Sequence, residues 1–339
     1  MAAIRNSITT VCASLLLAAC GSTSEAPAST KSEVINEGSL GAEDSGPDSQ
    51  SGWDLVWSDE FDGNAIDDGK WSFNIDCWGG GNEERQCYTD RAENASLEDG
   101  KLVITARKEE YSGPALPPHM REGADDPDAQ ATKPFTSARL VTQGNAAWQY
   151  GRIEVRAKLP QGQGTWPAIW MLPEDEAYGT WAASGEIDIM EAVNLGVPCE
   201  ECPNGQESTI LGTLHFGGLW PDNSLNSTEI SYPAVLDGFH TFGIVWQPGR
   251  MVWTVDGRVF AEKRSEDWFT TATDEANAPF DKPFHLILNL AIGGGLPEKR
   301  GLMGVSEEGF PKRMEVDWVR VWECNSQADE PGSCAWTGD

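Results

Sequence analysis

The sequence predicts an all-β sandwich, and three observations carry that expectation. Between Trp53 and Cys324, short apolar runs of strand length alternate with clusters of Gly, Pro, Asn and Asp, with few helical periodicities. Gly151 to Leu159 alternates cleanly, placing Ile153, Val155, Ala157 and Leu159 on one face and charged residues on the other. Val255-Asp256-Gly257-Arg258-Val259 carries an Asp-Gly pair suited to a type I′ hairpin turn. Many short strands at even spacing suit a sandwich, and sandwiches commonly fill a chain of 339 residues as one domain.

The elements follow in chain order. Residues 1–19 read as an export signal, with Arg5 ahead of the apolar stretch Val11 to Ala19, which is too short to span a membrane. Leu17-Ala18-Ala19-Cys20, followed by Gly21-Ser22, resembles the lipobox of bacterial lipoproteins. That resemblance implies lipid attachment at Cys20 and, with no Asp at position 21 or 22, an outer-membrane or cell-surface location. An ordinary signal peptide, with a periplasmic or secreted product, is the alternative. Residues 20–52 are rich in Ser, Gly, Glu, Pro and Ala and hold no aromatic residue, so they cannot build a core and read as a flexible acidic tether. The folded domain is expected over 53–324, with 325–339 as a C-terminal tail.

Within the domain, strands are expected at Lys101 to Arg107, Gly151 to Leu159, Gly185 to Ala192, Leu211 to Phe216, Thr241 to Gln247, Met251 to Val255, Phe284 to Ala291 and Met314 to Trp322. Tyr111 to Pro134, dense in Pro, Asp and Gly, reads as a surface loop. With Cys12 and Cys20 assigned to the signal, six cysteines remain and allow fifteen connectivities. The simplest joins Cys77 to Cys87, Cys199 to Cys202 and Cys324 to Cys334. A zinc reading of Cys199-Glu200-Glu201-Cys202 lacks a second ligand pair.

The formal charge is -30, and removing residues 1–19, whose one charged residue is Arg5, makes it -30 - 1 = -31. So anionic a surface argues against nucleic acid and polyanionic partners and favours a neutral substrate. No G-x-S-x-G, H-E-x-x-H or Walker loop offers a competing chemistry.

Three acids interrupt the apolar run Gly185-Glu186-Ile187-Asp188-Ile189-Met190-Glu191. In a helix Glu186 and Glu191 would point about 140° apart at ~3.6 residues per turn. In a regular strand Glu186 and Asp188 share a face and Glu191 falls on the other. A β-bulge near Ile189-Met190 would return Glu191 to the face of its partners. The glutamates would then stand roughly 13 Å apart at Cα, given ~3.3 Å per residue. Side chains leaning together would bring the carboxyls to about 5 Å, the spacing of a retaining glycosidase rather than the ~6.5–9.5 Å of an inverting one.

Fifteen tryptophans exceed what core packing alone requires. The apolar CH face of a sugar ring stacks on indole, and Trp166, Trp170, Trp181, Trp220 and Trp268, each beside Gly, Pro or polar residues, are the candidate platforms. Trp318 and Trp322 sit in a strand-like run and read as packing residues.

Glu186-Ile187-Asp188-Ile189-Met190-Glu191, preceded by Trp166-Pro167-Ala168-Ile169-Trp170-Met171-Leu172-Pro173 and followed by Gly212-Thr213-Leu214-His215-Phe216-Gly217-Gly218, resembles glycoside hydrolase family 16 and its laminarinase branch. Trp57-Ser58-Asp59-Glu60-Phe61, Ser137-Ala138-Arg139-Leu140, Leu288 to Gly294 and Val316 to Val321 extend the resemblance over roughly 53–324. It implies a concanavalin-like β-jelly roll of two curved antiparallel sheets with an open concave cleft. It implies Glu186 as nucleophile, Glu191 as general acid and base, and Asp188 between them as a tuning acid. Trp181 would floor the subsite beside the cleavage point, Asn82, Arg139 and Asn289 would hydrogen-bond sugar hydroxyls, and Trp166, Trp170, His215 and Trp220 would line the cleft. Similar enzymes hold a structural Ca²⁺, for which Glu60, the carbonyl of Gly100 and Asp317 match in position and offer hard oxygen donors.

The implied activity is retaining, endo-acting hydrolysis of a neutral β-1,3-glucan of the laminarin type, with mixed-linkage β-1,3-1,4-glucan as a second substrate and no cofactor in catalysis. A monomer is expected, touching membrane only through the lipid on Cys20. A surface lipoprotein that binds β-glucan without cutting it is the competing reading, but such relatives lack the glutamates that stand here. Lichenases resemble the scaffold yet carry Glu at the position of Met190, and agarase-like galactanases share the bulge.

Overall fold

The computed structural model describes residues 52–299, 304–325 and 334, so the expected signal, Cys20, nearly all of the tether and most of the C-terminal tail lie outside the described residues. The strands are β1 (Trp53–Asp59), β2 (Ser72–Phe73), β3 (Gln86–Tyr88), β4 (Ala95–Glu98), β5 (Lys101–Pro114), β6 (Gln130–Ser137), β7 (Arg139–Val141), β8 (Gly151–Lys158) and β9 (Thr165–Pro173). They continue as β10 (Glu186–Ala192), β11 (Thr209–Gly217), β12 (Asn223–Ser231), β13 (His240–Gln247), β14 (Arg250–Val255), β15 (Arg258–Arg264), β16 (Phe284–Ile292) and β17 (Lys312–Cys324). Two short helices, α1 (Pro118–Arg121) and α2 (Gly295–Lys299), interrupt them.

The larger sheet runs β15-β14-β13-β8-β17-β5-β6-β3, with β1 added on β17 and β4 on β5. The smaller runs β12-β11-β10-β9-β16-β7-β2. All of these pairings are antiparallel except β3 with β6, which departs from the purely antiparallel expectation.

Strand alternation sorts residues between the sheets. Ile153, Val155 and Ala157 of β8 and Val316, Val319 and Val321 of β17 meet Ile169 and Met171 of β9, Ile187 and Met190 of β10, and Leu286, Leu288 and Leu290 of β16 in one buried core. The other face of the smaller sheet carries the intervening residues, Trp166, Ala168 and Trp170 of β9 and Asn289 of β16 among them. That face holds the candidate site.

Two further expectations are corrected. The charges on β8 do not all face solvent: Arg152 and Glu154 are buried, paired at 2.7 Å, and Arg152 lies 4.6 Å from the centre of the Trp322 ring. β8 is central, and a second apolar cluster of Trp53, Val245, Val252, Trp322 and Cys334 packs outside the main core. The expected loop Tyr111 to Pro134 is mostly hairpin, because β5 continues to Pro114 and β6 begins at Gln130. The alternating Lys133 and Phe135 side pairs with Tyr111 and Lys108, leaving a shorter connection that holds α1.

The Asp-Gly turn is as expected, with Val255 paired to Arg258 and both Asp256 (φ 47°) and Gly257 (φ 74°) left-handed. The disulfides are Cys77–Cys87, Cys199–Cys202 and Cys324–Cys334. No helix among the described residues is long and apolar enough to cross a membrane.

Candidate active site

The acids stand on one face because β10 is bulged. Opposite β11, Glu186 pairs with His215, Asp188 with Thr213 and Glu191 with Leu211. Those partners are two residues apart, so all three acids project to the same side. Ile189 and Met190 together oppose the single residue Gly212 and are buried in the core. The pairing with β9 shifts at the same place, from Asp188 opposite Trp170 to Met190 opposite Ile169.

Each glutamate receives an indole N–H. Trp181 Nε1 donates to Glu186 Oε2 at 2.8 Å, and Trp166 Nε1 donates to Glu191 Oε1 at 2.9 Å. His215 Nε2 stands 3.5 Å from both Glu186 Oε1 and Asp188 Oδ2. One ligand-type atom from each of these three residues lies within 4.8 Å of the others. Two full charges at that distance would repel by about 3 kcal/mol at an effective dielectric near 20. The acids therefore cannot all ionise freely.

Burial pushes Glu186 up to about 7, against the opposing pull of the Trp181 N–H and the Arg139 charge. Asp188 is also raised well above its ordinary range, first by burial and then by the charges of Glu186 and Glu191. Burial lowers His215, so its imidazole is neutral. Burial raises both Glu186 and Asp188, so the two neighbouring carboxyls resist ionising together.

The outer end of the face is tied together through Asn289. Trp170 Nε1 donates to Asn289 Oδ1 at 2.6 Å, Asn289 Nδ2 donates to Tyr88 Oη at 3.0 Å, and the Arg139 guanidinium lies 4.5 Å from the centre of the Trp170 ring. Arg139 Nε is buried and makes no hydrogen bond of its own. Tyr88 Oη and Gln86 Nε2 both donate to Glu84 Oε2, at 3.2 and 2.6 Å. Asn82 Nδ2 reaches Glu84 Oε1 at 3.5 Å, and the Asn82 carbonyl accepts from Gly295 N after β16. The sequence reading missed Glu84, Gln86 and Tyr88, although Asn82-x-Glu84-x-Gln86-x-Tyr88 has the two-residue period of a shared face.

Trp220 is 73% exposed and its backbone N–H bonds to the carbonyl of Trp181, so the two indoles belong to adjoining loops. Trp268 is a correction: it is buried, edge-on to Phe280 at 5.4 Å, and is no platform. Of the residues expected around calcium, Gly100 and Glu60 adjoin β5 and β1, which flank β17 near Asp317. Both oxygens of Glu60 accept from Arg320, at 3.0 and 2.8 Å, and Asp317 pairs with Arg156. The donor chemistry suits calcium, but a cation there would compete with two guanidinium groups.

Residues 53–324 match the family model described as "Beta-porphyranase A-D, GH16 domain". The chain belongs to glycoside hydrolase family 16. Relatives of this family member include "Glucan endo-1,3-beta-glucosidase A1" of Niallia circulans, 39% identical over 80% of this chain. The match spans only 38% of that relative's length. "Beta-glucanase" of Rhodothermus marinus is 40% identical, with 80% of this chain and 85% of the relative covered. The X-ray structure of the laminarinase from Rhodothermus marinus superposes with a TM-score of 0.64 at 39% identity, covering 81% of this chain and 98% of that one. The glycoside hydrolase described here thus has the family's β-jelly roll.

Proposed function

We propose that this glycoside hydrolase is a retaining, endo-acting β-1,3-glucanase that cleaves laminarin-type glucan and also accepts mixed-linkage β-1,3-1,4-glucan. The observation that carries the reading is the bulged strand presenting Glu186, Asp188 and Glu191 together, each glutamate held by an indole N–H. The glucanase names of the relatives at about 40% identity support the substrate class.

In the first step a Glu186 oxygen attacks the anomeric carbon. The bond to the leaving sugar oxygen breaks, and Glu191 gives that oxygen its proton. Glu186, now an ester, has lost its charge, and Glu191 has gained one. In the second step Glu191 takes a proton from water, the water oxygen attacks the anomeric carbon, and Glu186 leaves as carboxylate. Burial and the charges of its neighbours disfavour ionisation of Asp188, which spares Glu186 a second adjacent charge while it attacks. Trp181, half-exposed beside Glu186, offers its ring to the sugar at the cleavage point.

An agarase-like galactanase is the second reading, favoured by the porphyranase description of the family model. Product profiling on laminarin, mixed-linkage glucan, agarose and porphyran separates the two. Oligosaccharides from laminarin are expected, and release confined to the galactans refutes the glucan assignment. Reducing ends that persist in Glu186→Gln would refute the mechanism.

Export and lipidation at Cys20, with residues 20–52 as tether, would place the enzyme at the outer membrane or cell surface as a monomer. Cys20→Ser should release it from the membrane fraction. Calcium bound by Glu60, the Gly100 carbonyl and Asp317 would be structural, and excess Ca²⁺ after chelation should raise Tm in the wild type but not in Asp317→Ala.

A further inference from the structure

A β-bulge disturbs its ladder locally, and a backbone carbonyl at the edge of this one is met from the opposite sheet. Trp253 of β14 is fully buried, and its Nε1 donates to the backbone carbonyl of Asp188 at 2.8 Å across the core. A buried indole N–H needs an acceptor, and the Asp188 carbonyl supplies it. The bond falls on the residue where the pairing of β10 with both neighbours shifts.

Gly212 makes the approach possible. It is the one β11 residue facing Ile189 and Met190, and a Cβ there would stand 2.6 Å from Trp253 Cδ1 and 2.9 Å from Nε1. The residue is glycine to admit an indole, not to turn the chain. Trp253 has its own fixed station: the β14–β15 pairing shifts between Trp253 and Thr254, and Lys263 Nζ lies 5.5 Å from the centre of its ring. The donor, the space and the shift converge on one carbonyl.

We propose that Trp253 is a positioning residue for catalysis, acting with Gly212 to lock the bulge and so set Glu191 in phase with Glu186 and Asp188. Trp253 touches no substrate; it acts through the Asp188 carbonyl. Without the N–H, β10 loses the contact that fixes where its extra residue sits, and Glu191 loses its fixed distance from the other two acids. Sugar binding by Trp170, Asn289 and Arg139, on β9, β16 and β7, stays intact.

This inference rests on Glu186 and Glu191 being the catalytic pair, and its test is separable from that reading. Trp253→Phe keeps an aromatic ring and deletes the donor. Site-specific replacement of Trp253 by benzothienylalanine deletes only the N–H and keeps the bicyclic shape, so folding is preserved. Trp246→Phe is the control, since Trp246 is equally buried in the adjacent strand and donates to the Phe280 carbonyl at 3.2 Å, not to a carbonyl of β10. Each protein is assayed for kcat, KM, the pH profile of kcat/KM and Tm on the polysaccharide that the wild type cleaves.

Both Trp253 replacements are expected to lower kcat by 10-fold or more with KM within about twofold, and to shift at least one limb of the pH profile. Trp246→Phe is expected to lower Tm while leaving kcat and both limbs unchanged. A benzothienylalanine protein with wild-type kcat and pH limbs overturns the proposal, as does a Trp246→Phe protein that loses kcat and shifts its limbs to the same extent. Inactivity of the wild type on every glycan tested, or activity surviving Glu186→Gln, would instead refute the catalytic assignment.

Discussion

Glu186→Gln removes a charge that the fold resists and the reaction requires. Buried beside Asp188, Glu186 titrates at about 7 against an ordinary 4.5. A raised folded pKa means that the folded state binds more protons than the unfolded chain between those values. Its ionisation therefore carries no penalty below about pH 4.5 and the full penalty above about pH 7. At 1.36 kcal/mol per pH unit the penalty is of order 3 kcal/mol. Glutamine keeps the shape and an oxygen to accept the Trp181 N–H, so the variant escapes the penalty. Thermal melts should show the variant above wild type by roughly 5–10 °C at pH 8 and level with it at pH 4. Activity should fall by roughly four orders of magnitude or more, as for loss of a nucleophile. A variant no more stable than wild type at pH 8, or stabilised equally at pH 4 and pH 8, would refute the electrostatic reasoning.

Three further outcomes follow from the same geometry. Glu191→Gln should abolish laminarin cleavage while sparing much of the first step on an aryl glycoside with a good leaving group, and azide should trap a β-glycosyl azide; equal loss on both substrates would deny Glu191 the acid role. Trp181→Phe deletes the N–H that pulls Glu186 down, so the acidic limb of kcat/KM should move up by about one pH unit, given ~1.5 kcal/mol for a hydrogen bond to a charged group. An unmoved limb would remove that limb from Glu186. Burial pushes Asp256 up, but hydrogen bonds from His240, Tyr232 and the Thr241 N–H outweigh it and hold the carboxyl below 3.8. Its stabilisation is present above that value and lost as pH falls through the depressed pKa, so Asp256→Asn should lower Tm at pH 6 and match wild type near pH 2; a constant difference would contradict the pairing.

The bulge was legible because two constraints met in seven residues: carboxylates avoid an apolar core, and only one extra residue returns Glu191 to the face of Glu186. The core face of β8 was legible from the alternation of Ile153, Val155 and Ala157. The burial of Arg152 and Glu154 was not, because the Trp53 and Trp322 cluster outside β8 comes from the two ends of the folded domain. Local composition misjudged Trp268, which sits among polar neighbours in sequence but against Phe280 in space. The bond from Trp253 to Asp188 spans 65 residues and two sheets, so no periodicity could announce it. The polar series from Asn82 to Tyr88 carried a two-residue period, but β3 is only three residues long and the signal was obscured by the glycines before it.

The central claim is that Glu186 and Glu191 act in a retaining displacement on an internal β-1,3-glucan bond. Time-resolved ¹H NMR of laminarin digestion tests it directly, since each cleavage creates one new anomeric centre. The account predicts β-anomers in the first minutes, the α-anomer growing only by mutarotation, and a mixture of oligosaccharides from internal cuts. Initial α-anomers, or no new reducing ends at all, would contradict it.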